Sequence, residues 1–157
     1  MNSKLNPYYL VGLVDGEGCF SITFNNHKSN RLLEVRLIFE IELREDDKEI
    51  LERVRKTLGC GNIYYLDYEK YKKWRPHYKY KVSNLKDLTL KVIPFFQKYP
   101  LQAKKKYDFA LFCKVAGLML RKYHLTTEGI EKIKLLKEDF IRDSLDAGNP
   151  HVQWGAE

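Results

Sequence analysis

The chain has 157 residues, 44% hydrophobic and 31% charged, with a net charge of +7. That is enough for one domain with a buried core, and the apolar content excludes a disordered chain. Cys19, Cys60 and Cys113 form no CxxC pair, so neither a zinc site nor a disulfide framework is indicated. An odd set of scattered thiols suits a reducing, intracellular setting. The first residues lack a signal-peptide core, so secretion is not expected. The apolar run 109–120 is short and interrupted by Lys114, which makes it a core helix and not a membrane span. The cationic excess favours polyanionic partners.

Asn6-Pro7 predicts a helix start, Asn as cap and Pro at the first helical position, over residues 7–15. Gly16 and Gly18 are expected to stop it. Residues 19–25 follow with Phe20, Ile22 and Phe24 at period two, a half-buried strand. After a polar turn at 25–30, residues 32–43 alternate again. Leu33, Val35, Leu37, Phe39, Ile41 and Leu43 point one way, and Glu34, Arg36, Ile38, Glu40 and Glu42 the other. The pair reads as an antiparallel hairpin with one packed and one wet face.

Asp46 or Asp47 can cap a helix to Leu58, with Ile50, Leu51, Val54 and Leu58 on one face. Gly59 and Gly61 end it. A second hairpin pairs 62–67 with 77–82. A helix over 85–96 is capped by Asn84 and kinked or ended by Pro94. A long helix is expected over 101–120, and a last one from Thr126 or Thr127 to about Leu145, before a loose tail at 146–157. The order implies an α+β fold, with helices on one face of an antiparallel sheet, in a single domain over 1–157.

One segment carries chemistry. Leu10-Val11-Gly12-Leu13-Val14-Asp15-Gly16-Glu17-Gly18 resembles the LAGLIDADG motif of homing endonucleases. Six of its nine positions match: Leu10, Gly12, Leu13, Asp15 and Gly18 outright, and Glu17 by acidic character. Tyr8 and Tyr9 precede it and a Phe-Ser-Ile strand follows. Small Gly12 allows close helix–helix approach, the apolar residues supply contact, and Asp15 can hold backbone groups near the turn. Glu17 is placed at the base of the first strand, where an acidic oxygen suits a hard cation.

The resemblance implies an αββαββα fold with a saddle-shaped sheet that straddles the DNA major groove. With one motif, the chain is expected to act as a homodimer through Leu10, Gly12, Leu13 and Asp15, on near-palindromic double-stranded DNA of about 20 base pairs. It implies metal-dependent phosphodiester hydrolysis that promotes intron homing, and a compartment with access to DNA. Glu17 and the Gly16 carbonyl would hold Mg²⁺, and Ca²⁺ would support binding without cleavage. The catalytic lysine is sought among Lys98, Lys104, Lys105 and Lys106, with Lys104 favoured and Gln102 a neighbour in the same pocket. The family's polar residue at the end of the second strand is replaced by Leu43, between Glu42 and Arg44. The alternative role is an RNA maturase, with intron RNA as partner, or a non-catalytic DNA-binding protein on the same fold.

On the wet face, Ser21, Thr23, Asn25, Arg36, Glu40, Tyr64, Lys79 and Lys81 can meet base edges. Glu34, Glu40 and Glu42 can accept from cytosine amino groups or pair with Arg36 and Arg44. The basic aromatic stretch 68–80, with Lys70, Lys72, Lys73 and Arg75, reads as phosphate contacts, as does Lys28 more weakly.

Overall fold

The period of two along the first two strands decides the layering. In the computed structural model, which describes residues 3–26, 31–68 and 74–146, α1 (Pro7–Glu17) runs straight into β1 (Gly18–Asn25), and β2 (Glu34–Arg44) pairs antiparallel with it. Phe20, Ile22, Val35, Leu37, Phe39 and Ile41 are buried on one side. A 3₁₀ turn (Glu45–Asp47) leads into α2 (Lys48–Leu58), then β3 (Asn62–Leu66) and β4 (His77–Val82). The sheet order is β1-β2-β4-β3, antiparallel throughout. Next come α3 (Leu85–Asp87), a π-helical stretch (Leu88–Val92), α4 (Ile93–Lys98), α5 (Lys105–Leu120), a 3₁₀ turn (Tyr123–Leu125) and α6 (Thr127–Asp146). Helices α1, α2 and α5 cover the inward face, as the α+β expectation requires. Lys28, Lys70, Lys72 and Lys73, and the tail 147–157, lie outside the described residues. Among the described residues, no helix is long and apolar enough to cross a membrane.

An aromatic cluster ties the sheet to the later helices. Phe20 stacks on Phe39 with centroids 4.8 Å apart and meets Phe96, Phe109 and Phe112 edge-on or tilted at 5.1–5.8 Å. Tyr80, fully buried opposite Ile41, donates its hydroxyl to the Cys60 carbonyl at 2.9 Å. Three caps follow the sequence reading; the expected fourth does not, since Asp47 precedes α2 without a side-chain cap bond and Asp46 is held by Arg44. Asn6 Oδ1 accepts from the Tyr8 N–H (2.9 Å), Asn84 Oδ1 from Asp87 (3.2 Å) and Thr126 Oγ1 from Gly129 (3.0 Å).

Three boundaries differ from expectation. The motif glycines do not break α1, which continues to Glu17, and Gly18 is extended at φ −76°. Gly18 is required for another reason: a Cβ there would lie 2.6 Å from Val14 Cγ1. The helix around Pro94 is not kinked at its end but widened before it. The proline ring crowds the carbonyl four residues back, and the backbone passes through π geometry, with the Ile93 N–H bonding the Leu88 carbonyl. Finally, 101–104 is a turn and not helix. The Asp15 carboxylate accepts from the N–H groups of Gln102 (2.9 Å) and Ala103 (3.2 Å), so α5 starts at Lys105.

β1 is an edge strand, and its outer side is closed by lysines. Lys105 Nζ donates to the Gly18 carbonyl, and Lys137 Nζ to the Ile22 carbonyl at 2.7 Å. Flexible cations on an edge occupy acceptors that would otherwise template another strand.

Two stability outcomes follow. Phe39→Ala removes a fully buried side chain of the aromatic cluster and is expected to cost about 3–5 kcal/mol in urea unfolding. Asp15→Ala uncaps the 101–104 turn and is expected to cost about 1 kcal/mol, since the N–H groups it leaves can reach water.

Candidate functional site

The motif helix delivers its acid to an open place. Glu17 is the last residue of α1 and is exposed, with no hydrogen bond or ion pair among the described residues. A helix C-terminus carries partial negative charge and unpaired carbonyls. An exposed carboxylate there, with the carbonyl of exposed Gly16 beside it in sequence, is a donor set of hard oxygens. Among the described residues no group of three or more His, Cys, Asp or Glu side chains forms a metal cage. One carboxylate with backbone oxygens fits Mg²⁺, which is commonly held by one or two carboxylates together with substrate phosphates.

Asp15 determines which lysine arrives. By holding Gln102 and Ala103 it sets the start of α5, and Lys105 then reaches the Gly18 carbonyl, next in sequence to Glu17. Lys104, favoured from the sequence, is exposed in the preceding turn, with no hydrogen bond or ion pair to the motif among the described residues. Gln102 is also not at the motif acid, because its side-chain amide donates to the Pro100 carbonyl at 2.8 Å. The structure adds Asp108, one turn along α5. Burial lifts its carboxyl above the usual range, and Lys105 and Lys104 oppose that rise. Cys19 lies in the same neighbourhood, its thiol raised first by burial and then by Glu40.

The open side of α1 differs from the expected interface in two residues. Leu10 is fully buried in the chain's own core and has no surface for a partner. Asp15 is engaged with the 101–104 turn. What α1 leaves open is Tyr8 (73% exposed), Tyr9, Gly12, part of Leu13 and Gly16. A Cβ at Gly12 or Gly16 would meet nothing within 4 Å among the described residues.

The outward sheet face gathers the expected polar residues into rows. Across β2 and its neighbours, Cys19, Glu40, Lys81 and Asn62 align, and Glu42, Lys79 and Tyr64 form the next row. Thr23 lies opposite Arg36, Asn25 opposite Glu34 and Ser21 opposite Ile38. The Thr23 hydroxyl is buried without a hydrogen-bond partner among the described residues, and Ser21 Oγ donates to the Ile38 carbonyl at 3.5 Å. Arg75 is exposed just before β4.

The acids on this face are largely paired. Arg36 meets Glu34 at 3.0 Å, as anticipated. Arg44 binds Asp46 and not Glu42. Glu42 instead accepts the Tyr68 hydroxyl at 2.6 Å and meets Lys79 at 3.4 Å, and Lys79 also lies 3.5 Å from Glu40. The hydrogen bond to Glu42 raises the Tyr68 phenol above its ordinary range. Leu43 keeps its register opposite Tyr78, half-buried against the core, so no polar group replaces it there. Neither Tyr68 nor Lys105 was distinguishable by type or spacing. The signal for each is a tertiary contact.

Residues 10–116 match the LAGLIDADG endonuclease family. Probable intron-encoded endonuclease 3 of Neurospora crassa is 34% identical over 86% of this chain and 24% of its own length. A second, probable intron-encoded endonuclease 2 of the same fungus, is 31% identical over 87% of this chain and 32% of its own. The chain thus spans about a quarter to a third of these curated relatives. Among solved structures, the meganuclease I-SmaMI bound to uncleaveable DNA superposes with a TM-score of 0.77 at 34% identity, over 85% of this chain and 44% of that one. The homing endonuclease I-TnaI superposes with a TM-score of 0.75 at 33% identity, over 85% of this chain and 86% of that one. Motif, fold and relatives agree, and the chain belongs to the LAGLIDADG endonuclease family.

Proposed function

We propose that this chain is a site-specific DNA endonuclease that cuts both strands of a long near-palindromic target by metal-dependent phosphodiester hydrolysis, as a homodimer, in the homing of an intron. The observation that carries the reading is Lys105 Nζ on the carbonyl of Gly18, the residue that follows exposed Glu17 at the end of α1, beside a polar sheet face. Relatives of the chain are described as probable intron-encoded endonucleases, and I-SmaMI has been seen bound to an uncleaved DNA target in the presence of calcium ions.

Glu17 and the Gly16 carbonyl would hold Mg²⁺, with Ca²⁺ supporting binding without cleavage. Mg²⁺ when bound supplies charge neutralisation and a more acidic water. The chain's own contribution is position and charge. Glu17 offers its carboxylate from the end of a rigid helix, and Lys105 brings a cation to the place where phosphate oxygens would gather negative charge. The Asp15 tie keeps both in register. Two such units are needed to cut two strands, and the open stripe Tyr8, Gly12, Leu13 and Gly16 is the surface we assign to their pairing. Gly12 lacks a side chain where a second helix would pass.

Cleavage of a library of randomised near-palindromic sites tests the chemistry. Linear product with Mg²⁺, none with EDTA, and uncut complex with Ca²⁺ are expected. Glu17→Gln should bind but not cut. Lys105→Met should slow cutting by about 100-fold or more, as loss of a charge-stabilising donor does, whereas Lys104→Met should stay near wild type. Equal damage from the two lysine changes, in folded proteins, would remove Lys105 from its assigned place. Binding without cutting in Mg²⁺ would favour the maturase or non-catalytic reading.

Sedimentation tests the pairing. Gly12→Leu should convert the dimer to monomer and abolish double-strand cutting. The monomer should stay folded, with native circular dichroism, because an added Cβ there meets nothing within 4 Å among the described residues and glycine is a poor helix former. A dimer that survives this change pairs elsewhere.

A further inference from the structure

The acidic centre of the outward sheet face is an unusual feature for a surface assigned to DNA. Glu40 and Glu42 project from β2 on the same side, and the lysine that joins them comes from β4. Lys79 lies directly opposite Glu42 and diagonal to Glu40, with its ammonium 3.4 Å and 3.5 Å from their carboxylates. Each of these side chains is about one quarter to one third exposed, so the pairing is partly shielded from water. Tyr68 donates to the second oxygen of Glu42 at 2.6 Å.

Counting donors and acceptors leaves one group in excess. Lys79 sits between two anions. Glu42 is engaged through both oxygens, Oε1 by Tyr68 and Oε2 by Lys79. Glu40 is engaged through Oε2 alone, and Oε1 has no hydrogen bond or ion pair among the described residues. The cluster of two carboxylates and one ammonium keeps a net charge of about −1, and its open valence is an acceptor. Directly opposite Glu40, Lys81 has no ion pair among the described residues.

In the major groove, cytosine N4 and adenine N6 are donors, while guanine N7 and O6 and thymine O4 are acceptors that a carboxylate repels. Adenine also sets its N7 acceptor beside the amino group, where a glutamate has no donor to offer. Cytosine is the base whose edge suits a carboxylate. Lys81, one strand away, can donate to guanine N7 and O6 of the same or the adjacent pair.

We infer that Glu40, held by Lys79 and backed by Glu42 and Tyr68, reads a cytosine in each half-site. Lys79 is then a positioning residue, not the base donor that its place in the sequence suggested. The inference rests on the DNA-cleaving reading above and concerns one base pair per half-site.

The test is base preference, position by position, in a library randomised over both half-sites. Wild type should prefer cytosine at one symmetric position. Glu40→Gln should move that preference to adenine at the same position, since glutamine can bond adenine N6 and N7 together, with a switch of about tenfold or more. Lys79→Met should flatten the preference at that position and leave the others intact, which general loss of structure would not do. Tyr68→Phe should weaken it in the same place by less. A wild-type enzyme with a defined site whose preferences are unchanged by Glu40→Gln overturns this inference alone. A guanine preference lost on Lys79→Met would make Lys79 the reader and overturn it as well. A wild-type protein with no site preference at all would overturn both this inference and the nuclease reading.

Discussion

The carboxylate of Asp15 joins two parts of the chain that lie almost ninety positions apart, through the N–H groups of Gln102 and Ala103. Neither end of that contact is reactive, yet the rest of the site depends on it. Without it, the run from 101 onward is good helix, and the first lysines of α5 would fall at a different rotation. With it, 101–104 becomes a turn, α5 starts at Lys105, and Lys105 reaches the Gly18 carbonyl beside the motif acid. A helix has 100° between successive residues, so a one-residue change in phase replaces Lys105 by Lys104 or Lys106. The motif's first acid thus works as a structural clamp, and its second stands exposed at the helix end, where the proposed metal would bind.

The same lysine has a second effect at the sheet edge. Lys105 and Lys137 each occupy a carbonyl on the outer side of β1. β1 follows α1 without a loop, so fixing the edge of the strand also fixes the end of the helix from which Glu17 projects. Phe20 anchors the strand from the inward face against Phe39, Phe96, Phe109 and Phe112. Edge cations on one side and aromatic packing on the other leave the strand little freedom to slide, and a slip of one residue would exchange its two faces.

Features governed by local periodicity were readable in the sequence. The alternation of Val35, Leu37, Phe39 and Ile41 with Arg36, Ile38 and Glu40 predicted both faces of β2, and the caps at Asn6, Asn84 and Thr126 were legible from residue type. Glu17 was legible because a motif is contiguous. What was not legible has a common cause, which is competition between partners distant in sequence. Arg44 lies two positions from both Glu42 and Asp46 in sequence and binds Asp46, while Lys79 and Tyr68 engage Glu42. Leu10 looked like contact surface because motif helices pair, but the side of α1 that bears it faces the chain's own core. The π-helical stretch before Pro94 follows from fitting a proline into a helix that buries Leu88, Val92, Ile93 and Phe96 and cannot simply end there. Proline predicts disruption, and packing decides its form.

The charge distribution separates two tasks that net charge alone would assign to one surface. The chain carries +7 overall, yet on the outward face Arg36 is paired with Glu34, Lys79 with Glu40 and Glu42, and Arg44 with Asp46 at the end of β2. Paired cations release few counterions on meeting a polyanion, so this face contributes little to non-specific affinity. Its fixed donors and acceptors are instead suited to discrimination, because a mispaired base meets groups that are already held and cannot turn to accommodate it. Affinity for the backbone must then come from cations away from these pairs. Arg75, exposed just before β4, has no ion pair among the described residues. An arrangement of this kind gives weak attraction to arbitrary DNA and a steep difference between right and wrong sequence. Under the proposed cleavage of both strands, that difference would limit damage more effectively than raw affinity.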